Sequence, residues 1–156
     1  MLSRLVLALL VAVTVTGPAV TAQVRQAKAP MVEVFKTPTC GCCSKWVDHI
    51  RDAGFEVRAT DMSQEELDKV KAKHHVPAAV HSCHTALVSG YVVEGHVPAA
   101  EVKRLLKERP KVVGIAVPGM PLGSPGMEVS GIKPHPYDVL TFDKTGNTKV
   151  FATIKP

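Results

Sequence analysis

Cys40, Cys42, Cys43 and Cys83 are the cysteines of this chain, and three of them fall within Cys40-Gly41-Cys42-Cys43. A buried thiol packs like a small hydrophobe, whereas its ionised form is a soft nucleophile and metal ligand. Crowding of this kind points to sulfur chemistry rather than to packing. Cys40 and Cys43 have the Cys-x-x-Cys spacing of disulfide exchange. Cys42 is a third sulfur that dithiol exchange does not require. Two structural disulfides fit poorly, because Cys42 adjoins Cys43 and a Cys42–Cys83 bridge would have to form beside Cys40–Cys43.

The elements that position these sulfurs are legible as an alternating pattern. Residues 31–35 form a short β-type run, broken by Thr37-Pro38-Thr39 just before the cysteines. Residues 44–53 place Trp46, Val47 and Ile50 at helical spacing, with Gly54 as a stop. Residues 55–60 alternate as a strand. Ser63 with Glu65 and Glu66 starts a second helix, with Leu67 and Val70 facing inward and Asp68, Lys69, Lys71 and Lys73 forming its exposed side. Residues 85–88 and 91–93 flank Ser89-Gly90 as a hairpin. Pro98 then opens a helix whose Val102, Leu105 and Leu106 face the core until Pro110 ends it.

This order predicts an α/β, thioredoxin-like βαβαββα domain over residues 31–110, with Cys40 to Cys43 at the first strand-to-helix junction. Free amides and the positive end of the helix dipole stabilise a thiolate there. The same fold would set Ser82-Cys83-His84-Thr85, just before the third strand, across from the sulfur-rich turn.

Residues 111–156 are expected to pack on the same domain. Residues 114–127 are too rich in proline and glycine for a helix or a central strand and read as a shaped Pro/Gly/Met-rich loop. It carries Met120 and Met127, thioethers open to meeting a soft ion or to filling a gap under the loop. Residues 137–142 and 149–154 look like a C-terminal β-hairpin that fastens the loop over the site. Among the histidines, His84 abuts Cys83 and is the ligand candidate, while His96 reads as a structural or outer-shell group. His49 is expected on an outer helix face, His74 and His75 in solvent, His81 on a loop that can reach the site, and His135 on a loop. Trp46 reads as core.

Residues 1–22 read as a secretory signal peptide. Arg4 precedes an apolar run at 5–15, a Gly17-Pro18 break follows, and Val20-Thr21-Ala22 supplies small residues for cleavage. The run is shorter than the ~20 residues that cross a bilayer, so no membrane association is expected after cleavage. Residues 23–30 would be a linker, and the mature chain periplasmic. The charge balance is mildly basic, with 19 Lys and Arg against 14 Asp and Glu. Without interleaved aromatics this gives no nucleic-acid groove.

Thr37-Pro38-Thr39-Cys40-Gly41-Cys42-Cys43, Ser82-Cys83-His84-Thr85, the 90–98 segment Gly-Tyr-Val-Val-Glu-Gly-His-Val-Pro and the 119–127 segment Gly-Met-Pro-Leu-Gly-Ser-Pro-Gly-Met together resemble the CopG-type periplasmic copper-resistance proteins. These are a metal-binding family formerly of unknown function. The resemblance implies a thioredoxin-like fold and a cysteine-bridged cluster of copper ions. It also implies a role in copper sequestration or redox interconversion, with copper export or redox proteins as conceivable partners.

Elementary chemistry points the same way. Thiolate and thioether ligands select Cu(I). Zinc would be content with Cys40, Cys43, Cys83 and His84 in a closed tetrahedron, leaving Cys42, Met120 and Met127 unused. Side chains of adjacent helical residues diverge by about 100°, so Cys42 and Cys43 suit bridging between ions better than one shared ion. The metal set at this stage is Cys40, Cys42, Cys43, Cys83, His84, Met120 and Met127. Two other readings stay open: an exported thiol-disulfide oxidoreductase using Cys40 and Cys43, and a zinc-stabilised module.

Overall fold

The computed structural model describes residues 30–155. The expected signal peptide and residues 23–29 of the expected linker lie outside the described residues. The elements are β1 (Met31–Lys36), α1 (Gly41–Asp52), β2 (Glu56–Asp61), α2 (Gln64–Lys73), β3 (His84–Val88), β4 (Tyr91–Glu94), α3 (Ala99–Glu108), β5 (Gly114–Ala116), β6 (Tyr137–Phe142) and β7 (Thr148–Ile154). The strands form one seven-stranded mixed sheet in the order β2-β1-β3-β4-β5-β6-β7.

Parallel pairing joins β1 to β2 and β4 to β5, and the remaining neighbours are antiparallel. In that register Lys36 pairs with His84, Thr85 with Glu94, and Glu94 with Ala116. The end of β1, the start of β3 and the ends of β4 and β5 therefore meet at one end of the sheet. That end carries the chemistry.

Each helix has an identifiable cause. Ser63 caps α2 with a reciprocal capping box, its hydroxyl accepting from Glu66 N–H while the Glu66 carboxylate accepts from Ser63 N–H. Pro98 precedes α3, and Arg109 in the left-handed region (φ 49°) closes it. Helix α1 begins at Gly41, earlier than the apolar spacing suggested, so Cys42 and Cys43 sit in its first turn. Trp46, Val47 and Ile50 of α1 and Val102 and Leu105 of α3 share one buried cluster with Val32, Val34, Ala86, Val88, Val93 and Ile115. A smaller cluster of Val76, Val80, Val92, Ala116 and Phe142 forms a second core.

Two expectations are corrected. Residues 114–116 are not loop but an interior strand, β5. Gly114 is there because a Cβ at its position would fall on the Val92 carbonyl oxygen. Glycine marks close backbone approach in a strand as readily as it marks a loop. Lys71, expected on the exposed side of α2, is 1% exposed. It lies one turn beyond the buried Leu67, on the same inward stripe. The C-terminal hairpin forms as β6 and β7, and it extends the sheet beyond β5.

Candidate metal centre

The site starts from the first turn of α1. Cys40 is the residue before the helix, and Cys42 and Cys43 lie within it. No acidic side chain occupies that turn, so the positive helix end is left to act on sulfur. Cys40 and Cys43 are joined in a disulfide, and Cys42 and Cys83 are free and partly exposed. Cys42 Sγ lies 3.5 Å from Cys40 Sγ, and Cys43 Sγ is 3.7 Å from the Cys83 carbonyl oxygen. All four sulfurs lie within 4.8 Å of one another. Strand pairing produces this convergence by setting the start of β3 against the end of β1.

Cys83 belongs to a second group as well. Its sulfur, His84 and His96 offer ligand atoms that also lie within 4.8 Å of one another. His96 Nε2 is 3.0 Å from Cys83 Sγ, while its Nδ1 lies 2.8 Å from the Pro125 carbonyl oxygen. The carbonyl can only accept, so Nδ1 carries the proton and Nε2 presents its lone pair to the sulfur. An outer partner thereby fixes the tautomer of the imidazole.

His84 is fully buried, with Nδ1 3.4 Å from Cys83 Sγ. Its Nε2 has no hydrogen-bond partner of acceptable geometry among the described residues. The ring packs between Trp46, at a centroid distance of 4.4 Å, and His96, at 5.1 Å. Trp46 is itself pinned by a 2.8 Å hydrogen bond from Nε1 to the Val97 carbonyl.

Burial dominates the electrostatics. It pushes the Cys83 thiol up to about 12, with the neighbouring Cys42 adding to the rise. Burial also holds His84 well below the usual histidine range, helped by His96 and Lys71, and it lowers His96 against the opposing Pro125 carbonyl. Both shifts favour the neutral imidazole, the form that ligation requires.

The loop at residues 117–136 covers this end of the sheet. Ser82 Oγ donates to the Gly119 carbonyl, and Gly119 N–H donates to the His81 carbonyl at 3.3 Å. Gly126 has φ +87°, and a Cβ there would stand 2.6 Å from the Cys42 carbonyl oxygen. Only glycine lets the loop settle this closely on the first turn of α1. Met120 directly follows Gly119 and is half exposed, while Met127 follows Gly126 and is partly buried.

The structure gathers Cys40, Cys42, Cys43, Cys83 and His84, and it adds His96 as a full neighbour of Cys83. His81 turns away, its Nε2 lying 3.2 Å from the Val76 carbonyl oxygen. His49 is half-buried rather than on an outer face, and its Nε2 accepts the Ala99 N–H at 3.0 Å, capping α3. The apolar surface groove lined by Pro30, Ala53, Phe55 and Leu106 lies at the opposite end of the sheet, away from the four cysteines.

The donor set fits a soft metal. Among the described residues four sulfurs and two imidazoles converge, one imidazole nitrogen has no hydrogen-bond partner of acceptable geometry, and no carboxylate belongs to either group.

Comparison with known proteins agrees with this class of site. Residues 80–127 match the family described as "Protein of unknown function, DUF411". Two solved structures superpose with TM-scores of 0.74 each. "Copper resistance protein copG- Form 2" is 39% identical, covering 81% of this chain and 99% of that one, and "Form 1" is 40% identical, covering 81% and 98%. Among curated proteins, none matches the chain significantly. The chain belongs to the CopG family of copper resistance proteins.

Proposed function

We propose that this is a periplasmic copper-binding protein of copper resistance, holding Cu(I) for sequestration or for Cu(I)/Cu(II) interconversion. The observation that carries the reading is the convergence of Cys40, Cys42, Cys43 and Cys83 within 4.8 Å, with His84 and His96 on the same Cys83 sulfur. Four thiolates offset the charge of several monovalent ions, so a cysteine-bridged cluster is favoured over a single ion. His84 and His96 supply neutral nitrogens beside it. Met120 and Met127, on the covering loop, are the thioether candidates. The βαβαββα portion at residues 31–110 is read as a thioredoxin-like domain, and residues 111–156 as an extension packed on it. The pattern at residues 1–22 supports export.

The Cys40–Cys43 disulfide is compatible with this reading. Without copper the dithiol passes two electrons and two protons to a disulfide oxidant of the compartment and closes, and a dithiol donor returns them to complete the thiolate set. Metal loading and the disulfide then exclude one another. The disulfide at a helix N-terminus also favours a second reading, thiol-disulfide exchange with Cys40 attacking and Cys43 resolving.

Anaerobic titration with Cu(I) against a chromogenic chelator, with free-thiol labelling before and after loading, tests the proposal. Tight uptake of copper that protects the thiols is expected. Identical labelling with and without copper would sink it.

A further inference from the structure

Glu94 and Lys71 form an ion pair at 2.5 Å between side chains that are 0% and 1% exposed. Thr85 Oγ1 accepts from Lys71 Nζ at 2.9 Å and donates to Glu94 Oε2 at 2.7 Å. Removing two charges from water is costly, and an apolar pair of the same volume is often as stable. Stability alone therefore leaves the pair unexplained. What it holds is informative. Glu94 Oε1 also accepts the backbone N–H of Ser82 at 2.7 Å, one residue before Cys83. Ser82 reaches the covering loop through its hydroxyl on the Gly119 carbonyl. Glu94 ends β4 two residues before His96, so one carboxylate ties together the strand leading to His96, the segment leading to Cys83 and, through Ser82, the loop.

We infer that the Lys71–Glu94 pair is a positioning device for the sulfur-imidazole site. The carboxylate fixes Ser82, and through it the Cys83 sulfur and the loop, while Lys71 holds the same carboxylate oxygen that accepts the Ser82 N–H and Thr85 bridges the pair from the other side. Neither Lys71 nor Glu94 belongs to either group of candidate ligands. The consequence for copper rests on the function proposed above; the positioning itself does not.

The test replaces the pair by Lys71→Met with Glu94→Leu, and separately makes Glu94→Gln and Thr85→Val. Three quantities are read: the urea midpoint, the Cu(I) affinity, and the alkylation rate of Cys83. The last is measured in a Cys42→Ser background with the Cys40–Cys43 disulfide intact, where Cys83 is the remaining free thiol. The apolar pair is expected to fold with a midpoint near the parent's. Its Cys83 should alkylate roughly tenfold faster, the effect of about one lost hydrogen bond, and its Cu(I) affinity should fall by about 10- to 100-fold, as for other outer-shell losses. Glu94→Gln keeps an acceptor for Ser82 N–H and should recover most of both.

Thr85→Val leaves the Ser82 bond and should lower the midpoint without accelerating alkylation, which separates lost positioning from lost stability. Parental alkylation and affinity in the apolar pair would overturn the inference. So would acceleration by Thr85→Val in proportion to the stability it removes. A parent protein that binds no Cu(I) would sink the proposed function, while the alkylation rates still decide the positioning role.

Discussion

Two polar clusters share one end of the sheet and differ in how completely they are satisfied. In the Lys71–Thr85–Glu94 cluster the ammonium, the hydroxyl and both carboxylate oxygens have partners inside the protein. In the Cys83–His84–His96 cluster, His84 Nε2 has no partner of acceptable geometry among the described residues, and the Cys83 thiol is crowded by imidazoles and another thiol. Buried polar groups are normally hydrogen-bonded. The closed cluster therefore reads as scaffold, and the open one as the candidate site.

The sharpest way to break this contrast is to remove the atom common to both candidate ligand groups. Cys83→Ser is expected to lower Cu(I) affinity by more than the ~100-fold that an outer-shell loss costs, measured by chelator competition. Cys42→Ser should do nearly the same, yet leave Cys40–Cys43 exchange with a dithiol substrate largely intact. Retained copper affinity in both variants would favour the oxidoreductase reading.

Trp46→Ala tests the wall behind the open cluster. The indole is fully buried against His84, so a loss of about 3–5 kcal/mol is expected from urea unfolding. A smaller penalty arises where the loop meets the helix. Gly126→Ala forces a Cβ against the Cys42 carbonyl at a positive φ, and about 1–3 kcal/mol of destabilisation should come with weaker copper binding. Unchanged copper binding in that variant would mean that the loop does not cover the site.

The smallest effect concerns a histidine outside both clusters. Burial lowers His49 below the ordinary value of 6.5, against smaller opposing contributions from Glu128 and Asp52. Its contribution to stability is complete above the unfolded value and is lost as pH falls from there through the folded-state value. His49→Ala should cost about 1 kcal/mol at pH 7.5, comparable to losing a helix cap, and less at acid pH. Equal losses at both would show that the Ala99 hydrogen bond does not depend on a neutral ring.

Much of this was legible in the chain because local signals carried it. The strand and helix periods, the Ser63 capping box and the Cys40-Gly41-Cys42-Cys43 turn are all readable within a few residues. The meeting of that turn with Cys83 followed once the element order was read as a fold. What stayed hidden depends on contacts between distant strands. Gly114 looked like loop chemistry because the Val92 backbone that excludes a side chain is far away in sequence. His96 reads as an outer group in the chain, where nothing local shows that it meets Cys83 and the Pro125 carbonyl. Lys71 and Glu94 did leave a trace, a charge one turn from Leu67 and a lone carboxylate ending an apolar strand. Neither has meaning until both meet across the sheet.

X-ray absorption at the copper edge, on protein loaded anaerobically with Cu(I), addresses the central claim most directly. The account predicts a first shell dominated by sulfur with a nitrogen contribution, and copper–copper scattering from bridging thiolates. A shell of nitrogen and oxygen alone, with the cysteines still fully open to labelling, would contradict it.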